Sequence, residues 1–216
     1  KIFNPLLNLP DATEFPKPET GTSFNNFEVS VRLRFAYLET YLENNFFRTS
    51  LGSDYPITEL RISRGIPGIF KSAYKYTKLN LTVSDSRKIS PFGTIYYNLY
   101  AGKVFGTVPY MLLNIAPGNE IYYYNKYAFN LMNRYEYIMD RYAGMQIEHN
   151  IGNGIFRLIP FNRFLKFRQF WNMKMIWGDM TEANRALNIR SDFPFVDLRG
   201  RTYMEMGTGV DNILRF

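Results

Sequence analysis

The chain has 216 residues, no cysteine, 46% hydrophobic and 18% aromatic residues, and 26 Lys plus Arg against 19 Asp plus Glu, a net charge of +7. That length suits one large domain, and the missing cysteines exclude a disulfide scaffold. The 15 Gly and 11 Pro are too few for a collagenous chain, and 17 Tyr with 19 Phe give too much apolar surface for a disordered one.

The first stretch, residues 1–23, carries Pro5, Pro10, Pro16 and Pro18 and reads as an irregular lead-in. Its start shows no charged region feeding an apolar run, so no signal peptide is visible; the chain is then either not exported or an internal or mature segment. No window approaches the run of apolar residues that a helical membrane span needs; the longest candidate, Tyr110 to Ala116, is short and holds Asn114.

From Phe27 the sequence alternates, with Phe27, Val29, Val31, Leu33, Phe35 and Tyr37 on one side and Glu28, Ser30, Arg32, Arg34 and Ala36 on the other. That period of two predicts a strand of about ten residues. Lys75 to Asp85 repeats it, placing Thr77, Leu79, Leu81 and Val83 opposite Tyr76, Lys78, Asn80, Thr82 and Ser84. Ser90-Pro-Phe-Gly93 reads as a turn, and Ile95, Tyr97, Leu99 and Ala101 then alternate with Tyr96, Asn98, Tyr100 and Gly102, which predicts an antiparallel hairpin. A long run sets Leu165, Phe167, Trp171, Met173, Met175 and Trp177 against Lys166, Arg168, Asn172 and Lys174. Weaker runs at Ile57 to Ser63, Asn133 to Tyr137, Tyr142 to Asn150 and Tyr203 to Val210 bring the count to about seven or eight strands if the Asn133 and Tyr142 runs form one. One helical segment is predicted, Met180 to Leu187, with Thr181 as its cap. The fold class is all-β and antiparallel.

A soluble sandwich alternates as well, so the pattern alone leaves two architectures open. Three features favour a transmembrane β-barrel. The runs are long enough to cross a bilayer when tilted. Aromatics crowd the expected strand ends, at Phe46-Phe47, Tyr122-Tyr-Tyr124, Phe161 and Trp177, as interfacial girdles do. Finally, the polar faces are charged: Arg32, Arg34, Lys78, Lys166, Arg168 and Lys174 would be balanced across a wet lumen by Glu28, Glu136, Glu148 and Glu205. The lipid-facing set would then include Val31, Leu33, Phe35, Leu79, Leu81, Leu99, Trp171, Met173, Met175 and Trp177. Connections support the same choice, being short at Ile89–Phe92, Pro160–Phe164 and Asp211–Ile213 and long at Pro109–Asn130 and Asp179–Arg199. Outer-membrane barrels show that asymmetry between periplasmic turns and outer loops.

Several phrases resemble a known family. Tyr41-Leu-Glu-Asn-Asn-Phe-Phe-Arg-Thr-Ser-Leu-Gly52, Pro91-Phe-Gly-Thr-Ile-Tyr-Tyr-Asn98, Pro117-Gly-Asn-Glu-Ile-Tyr-Tyr-Tyr-Asn-Lys-Tyr-Ala-Phe129 and Tyr203-Met-Glu-Met-Gly-Thr-Gly-Val-Asp-Asn-Ile213 resemble the C-terminal outer-membrane barrel of the Bacteroidota carboxypeptidase-like regulatory domain proteins of unknown function. That barrel is in turn similar to the surface-antigen barrels of the insertases BamA and TamA. The resemblance implies a barrel of about sixteen strands, of which residues 24–216 supply roughly the later half and stop before the last strands. Half a barrel leaves backbone groups unpaired at two edges, so the remaining strands must come from the same or another chain. It further implies residence in the bacterial outer membrane, contact with its lipids, and client outer-membrane proteins or periplasmic assembly factors as partners. Insertases carry an Arg-Gly-aromatic motif in a loop folded into the lumen, corresponding here to about Asn114–Asn130, where no Arg-Gly occurs; Arg64-Gly65 lies earlier and Arg199-Gly200 later. Insertase-like assembly or transport of protein or lipid therefore stands beside a structural, receptor or pore role in a larger envelope complex.

Covalent chemistry finds little material. His149 is the one histidine and cysteine is absent, so neither a zinc site, a Cys nucleophile nor a Ser-His-Asp triad assembles in the usual way, and no cofactor or enzymatic activity is expected. Gly152-Asn-Gly154 and Gly207-Thr-Gly209 open no helix and read as strand kinks or bulges rather than phosphate loops. The Asn80-Leu-Thr82 sequon falls mid-strand. Nucleic acid is not expected as a partner either, because period two gathers Lys166, Arg168 and Lys174 opposite Trp171 and Trp177, as in a lumen wall.

Overall fold

Period-two alternation carries through to the architecture in the computed structural model, which describes residues 25–152, 167–189 and 195–213. Among the described residues eleven strands form: β1 (Glu28–Phe35), β2 (Thr40–Asn44), β3 (Phe47–Gly52), β4 (Ile57–Gly65), β5 (Tyr76–Lys88), β6 (Thr94–Phe105), β7 (Asn114–Ile115), β8 (Ile138–Met139), β9 (Arg141–Gly152), β10 (Arg168–Asp179) and β11 (Thr202–Asp211). Seven of them make one antiparallel sheet in the order β1-β4-β5-β6-β9-β10-β11, while β2 with β3 and β7 with β8 form two small ribbons. Among the described residues β1 and β11 do not pair with each other, so the sheet is open at both edges. Among the described residues one α-helix, α1 (Glu182–Asn188), follows β10.

Residues opposite one another in an antiparallel pair point the same way, so the register assigns every strand residue to a face. Stepping across the sheet, Phe35, Thr58, Val83, Leu99, Met145, Met175 and Met204 form one row. Six of the seven are apolar. One residue along, the row of the opposite face reads Ile57, Ser84, Asn98, Gln146, Lys174 and Glu205, polar in five of six. The sheet is about 29 Å wide from β1 to β11 at the usual strand spacing, with an apolar band on one side, bordered by Asp85 and Arg87 at one end and Lys103, Arg141 and Asp179 at the other, and a charged side opposite.

Both packed cores lie on the charged side. Residues 106–140 fold back across it, and Val108, Leu112, Leu113 and Ile138 join Tyr76 and Val104 of the sheet with Met180 and Phe195 in one buried cluster. Ala116, Phe129, Met132 and Met139 close on Ile176 and Leu198 in a second. α1 locks this loop from outside the sheet. Asn184 accepts the Val108 N–H at 2.9 Å and donates to Asp140 at 2.9 Å and to the Gly106 carbonyl at 3.1 Å, while Asn188 donates to the Val108 carbonyl at 3.0 Å. Asn184→Leu would leave the Val108 N–H and the Asp140 carboxylate short of partners in a buried cluster. A loss of ~1–3 kcal/mol in unfolding free energy is expected, and a urea midpoint equal to that of the parent protein would disprove the lock.

Several sequence expectations change here. Asn133 to Tyr137 does not extend β9: Tyr135 has φ 60°, which breaks extended backbone, and Glu136 accepts from the Asn133 N–H at 2.9 Å within a turn. Glu136 is therefore a loop residue rather than a strand carboxylate. Tyr122-Tyr-Tyr124 also belongs to the loop over the charged face and not to a strand end. Thr181 precedes α1 but makes no side-chain cap; its hydroxyl donates to Asp140 at 2.6 Å. Gly207 and Gly209 lie in β11 without any register shift against β10, so no bulge forms there. Glycine is needed because the Phe170 ring crosses the strand, and a Cβ on Gly209 would stand 2.6 Å from its Cζ atom. A bulge does occur beside Gly152: Gln169 faces Gly152 and Phe170 faces Asn150, so Ile151 of β9 is the extra residue.

The connections do not divide cleanly into a short end and a long end. Residues 36–56 join β1 to β4 at the same end as the 89–93 turn and contain the whole β2–β3 ribbon. The ribbon is fastened by Glu39, whose carboxylate accepts from Arg34 at 2.5 and 2.6 Å and from the hydroxyls of Tyr41 and Ser50. Those donors, Arg34 first, hold the Glu39 carboxyl far below the ordinary value of 4.5. A depressed carboxyl contributes stability above its unfolded value and loses it only as pH falls through the folded one. Hydrogen-exchange protection of β2–β3 should accordingly survive acidification below pH 4.5, and Glu39→Gln should weaken it already at pH 7. Protection lost in parallel with ordinary carboxylate titration would contradict this fastening.

Candidate functional site

The charged face of the sheet is built strand by strand. Register places Glu28, Arg32 and Arg34 of β1, Lys78 of β5, Glu148 of β9, Arg168 and Lys174 of β10, and Glu205 of β11 on this one face. Lys166, with Leu165, Phe161 and the Pro160–Phe164 turn, lies outside the described residues. The opposite face carries Val31, Leu33, Phe35, Leu79, Leu81, Leu99, Trp171, Met173, Met175 and Trp177. Nothing among the described residues packs over that second face, and Leu33 and Phe35 are 57% and 67% exposed.

Near β1 the charges pair across strands. Arg32 meets Glu59 at 2.6 Å, Arg34 approaches the same carboxylate at 3.4 Å, and Lys78 lies 3.5 Å from Glu28. The Glu28 carboxylate also accepts the Tyr76 hydroxyl at 2.7 Å. Glu59 was absent from the sequence-level set of charged candidates. Its place in the Ile57 to Ser63 alternation, in phase with Arg61 and Ser63, was the available signal.

At the β10–β11 side the arrangement is different, because two charges there are buried. Lys174 is 1% and Glu205 6% exposed, and their charged atoms lie 3.7 Å apart. Each also holds the loop. The Lys174 ammonium donates to the Asn125 carbonyl at 2.7 Å and to that of Ala128, and stands 4.9 Å from the Tyr124 ring centre. Glu205 accepts the backbone N–H groups of Asn130 at 2.8 Å and Leu131 at 3.0 Å. Gln146 adds a donor to the Tyr127 carbonyl at 3.0 Å, and the Tyr124 hydroxyl donates to Glu148 at 2.5 Å. Burial, then that carboxylate, pushes the Tyr124 phenol well above its ordinary value. The segment from Tyr124 to Leu131 is thereby latched across the charged face by side chains from β9, β10 and β11. Beyond it, toward the turn end, a cleft of about 420 Å³ opens between Tyr96, Lys126, Glu148 and Arg168.

His149 sits on the apolar face beside Trp171. Its Nδ1 accepts the indole N–H at 3.1 Å, which leaves Nε2 to carry the proton and donate to the Phe92 carbonyl at 2.8 Å. Both ring nitrogens are thus engaged in joining the 89–93 turn to β10. Among the described residues no three His, Cys, Asp or Glu side chains converge as a metal set would, and no helix is long and apolar enough to cross a membrane.

Compared with known proteins, residues 4–182 match a family described as the C-terminal domain of a family of unknown function, DUF5686. No curated protein and no solved structure matches the chain.

Proposed function

We propose a function for this chain from the premise that it belongs to the DUF5686 family, as its C-terminal domain: it is part of a transmembrane β-barrel of the bacterial outer membrane. The barrel belongs to the insertase-like superfamily of BamA and TamA and works in assembly or transport of outer-membrane protein or lipid, without covalent catalysis. About sixteen strands would complete it, the missing ones supplied by the same or another chain. The observation that supports this reading is the segregation of the sheet faces. The row from Phe35 to Met204 is apolar across all seven strands but for Thr58, and it stays uncovered. A soluble sandwich would bury that face against a second sheet. Here the loop and both cores lie on the other, charged face, as suits a wet interior closed by a folded-in loop and an exterior solvated by lipid.

Detergent dependence and heat-modifiable gel mobility test the barrel; a water-soluble monomer in the absence of detergent would sink it. For the assembly role, the protein is depleted and the abundance of other outer-membrane proteins and lipids is followed. Unchanged levels would favour the second reading, a structural, receptor or pore subunit of an envelope complex. One feature favours that alternative: Lys174 and Glu205, not an Arg-Gly motif, fix the inward loop.

A further inference from the structure

The β2–β3 ribbon has two unlike sides. Cross-strand partners Tyr41 with Ser50 and Glu43 with Arg48 share one of them. Every polar group there has a partner: the Arg48 guanidinium lies 3.2 Å from Glu43 and 3.6 Å from the Tyr41 ring centre, and Tyr41 and Ser50 both donate to Glu39. Leu42 and Phe47 project from the other side, opposite Thr49 and Asn44; Leu51 is the extra residue at a register shift near the ribbon's root, and Phe46 stands at the tip. Leu42, Phe47, Leu51 and Phe46 are 56%, 60%, 64% and 93% exposed.

We infer that the ribbon is a membrane-interface wedge whose Leu42, Phe46, Phe47 and Leu51 side chains enter the headgroup and acyl boundary of the lipid leaflet bordering the turn end of the sheet. The inference rests on the barrel reading and deepens it by assigning a lipid-binding surface outside the spanning strands. Continuity with the apolar face is the first support. β1 carries Leu33 and Phe35 on that face up to the ribbon's root, where Tyr37 and Tyr55 meet edge to face at 5.0 Å. Arg34, on the charged face, grips the ribbon's polar side through Glu39. The apolar side is therefore the one turned away from the inner wall.

Charge is the second support. Glu43 and Arg48 neutralise each other within the ribbon, so a charged protein surface has little to read, whereas an apolar interface needs no directional partner. Four side chains on a convex tip also fall well short of the roughly 800 Å² per partner that a stable protein interface buries. Depth is limited by the backbone. A two-stranded ribbon keeps unpaired N–H and C=O groups along both edges, which cannot enter hydrocarbon, so the wedge is shallow.

Residues 1–216 hold no cysteine, so a single label can be placed among them once any cysteine elsewhere in the protein is replaced by serine. A single nitroxide is placed at Phe46→Cys, Leu42→Cys, Glu43→Cys or Leu81→Cys in the intact protein reconstituted in phosphatidylcholine vesicles, and collision with oxygen and with a water-soluble nickel chelate is compared. Labels at 46 and 42 should give oxygen-to-nickel ratios several-fold above that at 43 and below that at 81. Labels at 46 and 42 as aqueous as that at 43, with 81 still deep, would overturn the wedge alone. An aqueous label at 81 would overturn the barrel reading and the wedge with it.

Discussion

Leu81→Arg is expected, on the proposed barrel reading, to lower the stability of the protein in lipid by ~2–4 kcal/mol, the cost of an arginine near the midplane on the lipid face of a barrel. Leu81 lies mid-row on the apolar face, between Leu60 and Ala101, with Leu33, Ala143 and Trp177 further along the same line. None of these offers the guanidinium a hydrogen-bond acceptor, and polar water is the one solvent able to satisfy it. Thr82→Arg, one residue on and facing Glu59 on the charged side, should change little. The contrast has a sign as well as a size. Were the apolar face bathed in water, arginine at 81 would be within about 0.5 kcal/mol of neutral and would aid solubility. Urea midpoints in lipid vesicles for both variants decide the matter; equal midpoints for Leu81→Arg and Thr82→Arg would remove the lipid assignment of that face.

The second large effect belongs to the latch. Lys174→Met should cost ~3–5 kcal/mol, because it strands the buried Glu205 carboxylate and removes the donor shared by the Asn125 and Ala128 carbonyls. Glu205 keeps the N–H groups of Asn130 and Leu131, which places the expected value toward the lower end. Pairing Lys174→Met with Glu205→Gln should recover part of the loss, since a neutral amide tolerates burial better than an unpaired charge. Hydrogen exchange provides the local readout: amide protection from Asn125 to Leu131 should fall in Lys174→Met while β4 and β5 keep theirs. Protection unchanged at 125–131 would mean that the loop is held by its apolar contacts alone.

These two sites also mark what the sequence disclosed and what it withheld. The face assignment of Leu81, Met175 or Trp177 was legible because the pleat has a period of two and the runs in β1, β5, β6 and β10 are long. Over five residues the same rule failed: Asn133, Tyr135 and Tyr137 alternate on paper, yet Tyr135 adopts a positive φ and the chain turns. The β2–β3 ribbon escaped because Asn45-Phe46 is not a recognised hairpin dipeptide and Phe46-Phe47 breaks alternation at the tip. Lys174 and Glu205 were both legible as residues of the charged face. Their employment was not, since the atoms they hold are main-chain carbonyls and amides of Asn125, Ala128, Asn130 and Leu131, which leave no trace in residue identity. Asn184 and Asn188, four apart on one helix, bind main-chain atoms of Val108 in the same way, which residue identity does not disclose.

The span of chain that the latch bridges sets an order of events in biosynthesis. Lys174 meets Asn125 across 49 residues, and Glu205 meets Asn130 across 75. Closing contacts that distant carries an entropic cost recovered only when the partner strand is already in place. A chain emerging from its N-terminus has therefore made the whole loop, with Tyr122, Tyr123 and Tyr124, well before β11 exists to fasten it. During that interval the N–H groups of Asn130 and Leu131 lack the carboxylate that holds them, and arrival of the Glu205 strand completes the fastening of the loop.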